Sequence, residues 1–93
     1  MIEEKEYFSG KVKTLSSEIK GQRFTVGIME PGDFTFGTSS MQVIEVIFGE
    51  MEVGLPDGSI KTYGRGETFT VESEKDYNMT VEGEPAAYLC LYK

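Results

Sequence analysis

Hydrophobic and polar residues alternate along most of this chain, which predicts short β-strands rather than helices. Phe24, Val26 and Ile28, for example, alternate with Arg23 and smaller residues. Four further segments show the same period of two: residues 34–36, 51–55, 68–72 and 77–82. This period places alternate side chains on opposite faces of a strand. No segment carries a convincing helical period, and the acidic start is too short to form a stable helix by itself.

Turn signals separate these segments at intervals of about eight to twelve residues, which is the spacing of a sandwich or barrel. They are Ser9-Gly10, Lys20-Gly21, Glu30-Pro31-Gly32-Asp33, Phe48-Gly49-Glu50, Pro56-Asp57-Gly58, Tyr63-Gly64-Arg65-Gly66 and Glu82-Gly83-Glu84-Pro85. We therefore expect nine or so short strands in a single domain over residues 1–93, arranged as an all-β antiparallel barrel or jelly roll. The nearly continuous apolar run 43–48 predicts a central strand covered on both faces, and its Glu45 would then need partners.

The chain contains no histidine. This excludes Ser-His-Asp and Cys-His catalysis and any imidazole-based metal site. Its one cysteine, Cys90, lies between apolar residues, which favours a buried structural thiol in a reducing compartment. No apolar run approaches the roughly 20 residues of a membrane span, and the acidic N-terminus lacks a secretion signal. We expect a cytoplasmic protein that does not bind membranes.

The net charge of −7 argues against binding to a nucleic-acid polymer. Cations nevertheless cluster in one segment, where Lys11, Lys13, Lys20 and Arg23 are opposed only by Glu18. Two interpretations stay open for this segment. It is either a site for a small anion or a solvated strand face that keeps the sheet soluble.

The central part of the chain resembles the frame of the cupins. A turn at residues 30–33 precedes a strand that closes on Gly49, and a second glycine turn at residues 64–66 precedes another strand. The resemblance implies a cupin-like jelly-roll barrel (double-stranded β-helix). Metal-binding cupins carry ligands at positions that fall here on Gln42 and near Thr35, Gly37 and Tyr77, so this barrel lacks the usual metal ligands.

A closer resemblance covers essentially the whole chain. Its segments are residues 6–13, 26–29, 32–36, 46–49, 55–57 and 88–90. They are similar to the small cupin-type bacterial pyrimidine/purine nucleoside phosphorylases. The resemblance implies cleavage of purine and pyrimidine nucleosides by inorganic phosphate as co-substrate, giving free base and ribose 1-phosphate. It also implies a homodimer, with neither metal nor cofactor. One position departs from the family pattern: Leu91 stands where an arginine often follows the cysteine.

Phosphorolysis assigns roles to several residues. Arg23 is the leading candidate for phosphate, because its planar fork matches phosphate oxygens, and Lys11 and Lys13 are further candidates. Glu45 is a candidate for contacting the ribose or balancing positive charge in the transition state. The candidates for binding the nucleoside are Thr35, Phe36, Thr38, Tyr77 and Tyr88, with Tyr7 as a further aromatic. For each aromatic taken singly a role in the core is the more common alternative, and for each threonine a role in a strand or turn is.

Two other functions stay open. One is a non-catalytic cupin module that binds a nucleoside, a sugar or a small anion, since fold alone does not fix function. The other is a metal enzyme that uses carboxylates and Gln42. A homodimer is also expected on physical grounds, because a barrel of 93 residues has a small core and exposed strand edges.

Overall fold

A computed structural model describes the whole chain, Met1 to Lys93, as ten strands without a helix. The strands are β1 (Glu3–Tyr7), β2 (Val12–Ile19), β3 (Gln22–Met29), β4 (Gly32–Gly37), β5 (Gln42–Phe48), β6 (Glu50–Gly54), β7 (Ile60–Gly64), β8 (Thr68–Val71), β9 (Asp76–Val81) and β10 (Ala86–Tyr92). No helix is present that has the length and apolar character needed to cross a membrane. The predicted all-β class is confirmed.

The strands form two antiparallel sheets. One sheet has six strands in the order β1-β2-β3-β10-β5-β8, and the other has four in the order β4-β9-β6-β7. The chain crosses repeatedly between the two sheets, so strands that are distant in sequence become neighbours. The last strand, β10, lies between β3 and β5 and pairs with both.

Strand β1 is the element that the sequence patterns did not predict. All five of its residues are exposed, and they are mostly charged. It forms because it pairs with β2 in a hairpin, with Lys5 opposite Thr14 and Tyr7 opposite Val12. A charged edge strand of this kind resists pairing with other chains.

An apolar core fills much of the space between the sheets. Its fully buried side chains are Met29, Ile44, Met51, Met79, Val12, Val46, Val53, Val71 and Val81. Tyr77, Tyr88 and Cys90 pack on the same cluster. Because they are held by the core on one side, these three side chains have a fixed position where the core ends.

The prediction that strand β5 is covered on both faces is wrong for this chain by itself. Ile44 and Val46 are fully buried on the inner face, whereas Ile47 is 40% exposed on the other. The outer surface of the six-stranded sheet is apolar at its centre, and Leu15 there pairs directly with Val26. We call this surface the outer apolar face, and it consists of Leu15, Val26, Ile28 and Ile47.

Candidate functional site

A cavity of about 570 Å³ opens between the two sheets, which is a size typical of sites for small molecules. Strands β1, β2, β3, β10 and β5 supply one side of it, and β4, β9 and the Phe8 loop supply the other. The lining residues are Glu3, Lys5, Tyr7, Phe8, Thr14, Ser16, Arg23, Thr25, Thr35, Phe36, Gly37, Ser39, Ser40, Gln42, Tyr77, Tyr88, Cys90 and Tyr92. Both sides carry aromatic rings as well as polar groups. We call the cluster of Ser16, Arg23, Thr25 and Tyr92 the polar side, and the ring cluster of Tyr7, Phe8, Phe36 and Tyr77 the aromatic side.

The polar side carries a chain of hydroxyl groups. Ser16, Thr25 and Cys90 lie opposite one another on β2, β3 and β10. The oxygens Ser16 Oγ and Thr25 Oγ1 are 2.7 Å apart, and Thr25 Oγ1 is 2.7 Å from the hydroxyl of Tyr92. Thr25 is buried at the centre of this network, whereas Ser16 and Tyr92 are partly exposed, and each hydroxyl is held by its neighbour.

Two cations line the cavity without a carboxylate partner. The Arg23 guanidinium carbon lies 5.8 Å from the centre of the Tyr92 ring, and Lys5 reaches in from β1. The structure contains a single salt bridge, Lys13 to Glu6, so neither cation is neutralised by direct pairing. Glu3 also lines the cavity. An unpaired guanidinium beside aligned hydroxyls is suited to bind an anion such as phosphate.

The aromatic side is built around Phe36. Its ring lies nearly parallel to that of Tyr77, with ring centres 6.0 Å apart. Tyr7 and Phe8 contact it edge-on, at 6.4 and 5.5 Å between ring centres. Phe8 adopts a φ of 54°, a left-handed conformation that is rare for a bulky residue. The loop between β1 and β2 thus accepts backbone strain to place an aromatic ring on this wall.

The positions that the cupin frame marked as former metal ligands do come together. Thr35, Gly37, Gln42 and Tyr77 all line the cavity. Gln42 Oε1 accepts a hydrogen bond from the Tyr77 hydroxyl at 3.2 Å and another from the Cys90 thiol at 3.5 Å. An amide and a phenol therefore occupy two of the positions that the cupin frame assigns to metal ligands. The structure contains no group of three or more histidine, cysteine or acidic side chains arranged to hold a metal.

Four titratable groups of the cavity wall are held in their neutral forms by burial. Burial raises the pKa of the Cys90 thiol to about 11. It also raises the pKa of the phenols of Tyr77, Tyr88 and Tyr92. At neutral pH these groups remain protonated, so they serve as hydrogen-bond donors and not as bases or nucleophiles. The prediction that Cys90 is a buried thiol is confirmed.

This burial predicts that the protein loses stability in alkali. The Cys90 pKa is raised from 9.0 to about 11, so the folded chain holds this proton more tightly than the unfolded chain does. The resulting contribution to the free energy of unfolding is complete below about pH 9 and is lost as the pH rises through about 11. Urea unfolding at pH 7, 9 and 11 should show the fall, and Cys90→Ala should make it shallower. A free energy of unfolding that is constant over this range would contradict the assignment.

Tyr88 takes its position from a glycine on the neighbouring strand. Gly27 pairs with Tyr88, and a Cβ atom added to Gly27 would lie 2.6 Å from the tyrosine ring. The ring therefore lies flat against the bare backbone of β3. Its hydroxyl makes no hydrogen bond within the protein, although the side chain is 6% exposed. This hydroxyl is free for a molecule in the cavity.

Five of the predicted site residues line the cavity. They are Arg23, Thr35, Phe36, Tyr77 and Tyr88, and the further candidate Tyr7 lies with them. Thr35 is at the rim, where its hydroxyl accepts a hydrogen bond from Asn78 Nδ2 at 3.1 Å. The roles assigned to these residues remain predictions, but the structure brings the residues together.

Four predicted site residues lie outside the cavity. Lys11 belongs to the loop after β1, and Lys13 lies on the outer surface with its Nζ 3.5 Å from Glu6 Oε1. The Thr38 hydroxyl donates to the carbonyl of Glu72 at 2.6 Å and so holds a loop. Glu45 lies on the outer surface because the inner positions of β5 are Ile44 and its alternate neighbours.

The sequence patterns missed several residues of the cavity, above all Lys5, Ser16 and Tyr92. Lys5 was missed because β1 was not predicted as a strand. Once β1 is known to be a strand, the period of two puts Lys5 on the same face as Tyr7. Ser16 follows Thr14 at the same spacing on β2, but an isolated serine in a strand gives no sign of binding.

With this geometry established, comparisons with known proteins identify the family. The profile of the pyrimidine/purine nucleoside phosphorylase family matches residues 2–92. This chain belongs to that family. A pyrimidine/purine nucleoside phosphorylase of Tolumonas auensis is 38% identical over 94 residues and is covered over its full length, as is this chain. One from Pectobacterium carotovorum is 42% identical over 96 residues, covering 99% of both chains.

Solved structures agree on the fold. A protein of unknown function from Vibrio parahaemolyticus superposes with a TM-score of 0.94 at 37% identity, covering 100% of this chain and 99% of that one. An RmlC-like cupin from Shewanella frigidimarina superposes with a TM-score of 0.78 at 19% identity, covering 98% of this chain and 82% of the cupin. The predicted cupin-like fold and the family resemblance are both confirmed.

Proposed function

We propose that the cavity is the active site of a nucleoside phosphorylase that uses inorganic phosphate and no metal. The products are a free base and ribose 1-phosphate, and the substrates are purine and pyrimidine nucleosides. Membership of the family supports this function. The observation that carries it is a single cavity with an unpaired guanidinium, that of Arg23, on one side and stacked aromatic rings on the other.

Phosphate would occupy the polar side. Arg23 can donate two parallel hydrogen bonds to phosphate oxygens, and Lys5 adds a second positive charge. The Ser16 hydroxyl lies on the same wall and can donate to a third oxygen. Phosphate would thus lie between these cations and the aligned hydroxyls.

The base would lie against the aromatic side, on the rings around Phe36. Stacking on an aromatic ring contributes about 1–3 kcal/mol and tolerates any base, because every base has a flat π-face. A wall of this kind suits an enzyme that accepts both purines and pyrimidines. Selectivity then depends on the few polar groups near the ring.

The reaction needs no nucleophilic side chain. A phosphate oxygen forms a bond to C1′ of the ribose while the bond from C1′ to the base nitrogen breaks. The electron pair of that bond stays with the base, which then takes up a proton. Holding the two reactants in line can supply roughly 7–11 kcal/mol of the barrier. The protonated phenols of Tyr77 and Tyr88 are available to donate to charge that develops on the base or sugar.

The direct test is base release from a nucleoside panel. Purified protein with phosphate should convert uridine, adenosine and related nucleosides to free base and ribose 1-phosphate. Omitting phosphate should abolish base release, and a chelator should leave it unchanged. A broad panel that gives no phosphate-dependent release would refute the function.

A non-catalytic binding module is the second candidate. One observation favours it: Cys90, Tyr77, Tyr88 and Tyr92 all have pKa values shifted away from neutrality, so none of these four groups is poised for proton transfer. A melting temperature that rises with nucleosides in a protein that never releases base would identify this alternative.

We further propose that two copies associate through the outer apolar face. Leu15 and Ile28 are 48% and 55% exposed there, and an apolar sheet surface in water favours association. Ile28→Lys should convert the dimer to monomers in sedimentation velocity. Ile60→Lys is the control, because Ile60 is 69% exposed on β7 of the other sheet. A wild-type protein that sediments as a monomer at micromolar concentration would refute this assembly.

A further inference from the structure

The amide group of Gln42 has a fixed orientation. Its Oε1 accepts from both the Tyr77 hydroxyl and the Cys90 thiol, and both of these groups stay protonated because burial raises their pKa. The opposite orientation would turn the amide nitrogen toward the thiol sulfur, which is a weak acceptor. The Nε2 group therefore faces away from the Tyr77 hydroxyl and the Cys90 thiol.

That Nε2 group has no acceptor in the protein. Gln42 is only 9% exposed, it lines the cavity, and Nε2 makes none of the side-chain hydrogen bonds of the structure. The structure leaves no buried side-chain nitrogen or oxygen without a partner, so the unpaired Nε2 is reachable from the cavity. A donor held at a cavity wall in this way is available to water or to a ligand. The cavity thus presents a positioned donor to whatever occupies it.

The strand register places this donor on the same wall of the cavity as the anion site, two strands away from it. Gln42 pairs with Tyr92, and the Tyr92 ring lies beside the guanidinium of Arg23. The backbones of β3 and β5 are two strand spacings apart, or roughly 10 Å, with β10 between them. Arg23 and Gln42 therefore both face the cavity, where C1′ of a nucleoside would lie next to phosphate.

This position selects one edge of the base. The hydrogen-bond acceptor of a base nearest C1′ is bonded to a carbon that flanks the glycosidic nitrogen. In pyrimidines it is O2 and in purines it is N3, and both accept hydrogen bonds in the minor groove of DNA. A donor close to C1′ therefore meets an acceptor in either class of base.

We propose that Gln42 Nε2 donates a hydrogen bond to O2 of pyrimidine nucleosides and to N3 of purine nucleosides. This inference rests on the proposed function and adds a specificity-determining residue to it. When the glycosidic bond breaks, the electron pair moves into the base and increases the negative charge on O2 or N3. The bond to Gln42 then becomes stronger in the transition state, so it assists departure of the base.

Binding without phosphate separates this contact from catalysis. Isothermal titration calorimetry on the wild-type protein compares adenosine with 3-deazaadenosine, which lacks N3. We expect the Kd to rise about 2- to 13-fold, the range that corresponds to the loss of one hydrogen bond. The control 7-deazaadenosine keeps N3 and should bind like adenosine. Pyrimidin-2-one riboside keeps O2 and should bind like cytidine.

A Gln42→Leu variant completes the comparison. It should bind adenosine and 3-deazaadenosine equally, since the donor is gone, while circular dichroism verifies its fold. Equal Kd values for the two ligands on the wild-type protein would overturn the role of Gln42 and leave the phosphorylase function standing. Discrimination that persists in Gln42→Leu would also overturn it. Absence of binding to every nucleoside would overturn both.

Discussion

Replacing Arg23 with alanine should lower kcat/KM for phosphate by about 100- to 1,000-fold, the range seen when a preorganised donor to a charged transition state is removed. Arg23 is the guanidinium of the cavity, and no carboxylate pairs with it. Its loss removes both charge and the forked geometry that fits phosphate. Phosphate-dependent base release at several phosphate concentrations would measure the effect.

Two variants serve as controls for the Arg23 experiment. Lys13→Ala removes an equal charge from the outer surface, where Lys13 lies 3.5 Å from Glu6, and should change kcat/KM less than twofold. Arg23→Lys should recover part of the activity, since it keeps the charge but loses the fork. Unchanged phosphate kinetics in Arg23→Ala would remove this residue from the site.

Replacing Gly27 with alanine should destabilise the fold by about 1–3 kcal/mol, as overpacking of a close contact does. A methyl group at this position would lie 2.6 Å from the Tyr88 ring, so the ring must move. For a chain of this size, each 1 kcal/mol corresponds to a change in melting temperature of about 4–8 °C. The displaced ring would also intrude on the cavity, so nucleoside binding should weaken along with stability.

Gly54→Ala is the matched control for Gly27→Ala. Gly54 also lies in a strand, but an added Cβ would only come within 3.6 Å of the Asn78 Cβ, which is an ordinary contact. Its melting temperature should stay the same or rise slightly, because alanine restricts the unfolded chain. In a Tyr88→Leu background the cost of Gly27→Ala should shrink. Equal losses for the two glycine variants in the wild-type background would show that the ring contact is not responsible.

Strand β3 shows how much of this structure could be predicted from sequence. The alternation correctly separates Arg23 and Thr25 from Phe24, Val26 and Ile28. It cannot say which set faces the interior, and here the polar set does, because that end of the barrel is a cavity. The general expectation that apolar residues lie inside would give the opposite orientation.

The predicted site residues also differ in how well the sequence could place them. Positions located by the cupin frame, such as Gln42 and Tyr77, converge in space because a shared fold fixes where they lie. Lys11 and Lys13 are phosphate candidates through their charge alone, and charged side chains are also common on solvated strands. Lys5 required the knowledge that β1 is a strand, and that depends on pairing with β2, which no local pattern reveals.

The inverted polarity of β3 has a consequence for folding. A slip of this strand by one residue would turn Phe24, Val26 and Ile28 inward and Thr25 and Met29 outward, so apolar burial alone discriminates only weakly between the two registers. The native register relies instead on shape, through the fit of the Tyr88 ring over Gly27, and on the glycine turn at Gly21, with φ of 80°. The hollow interior therefore introduces frustration into the folding landscape at the strand that carries Arg23, the residue proposed to bind phosphate.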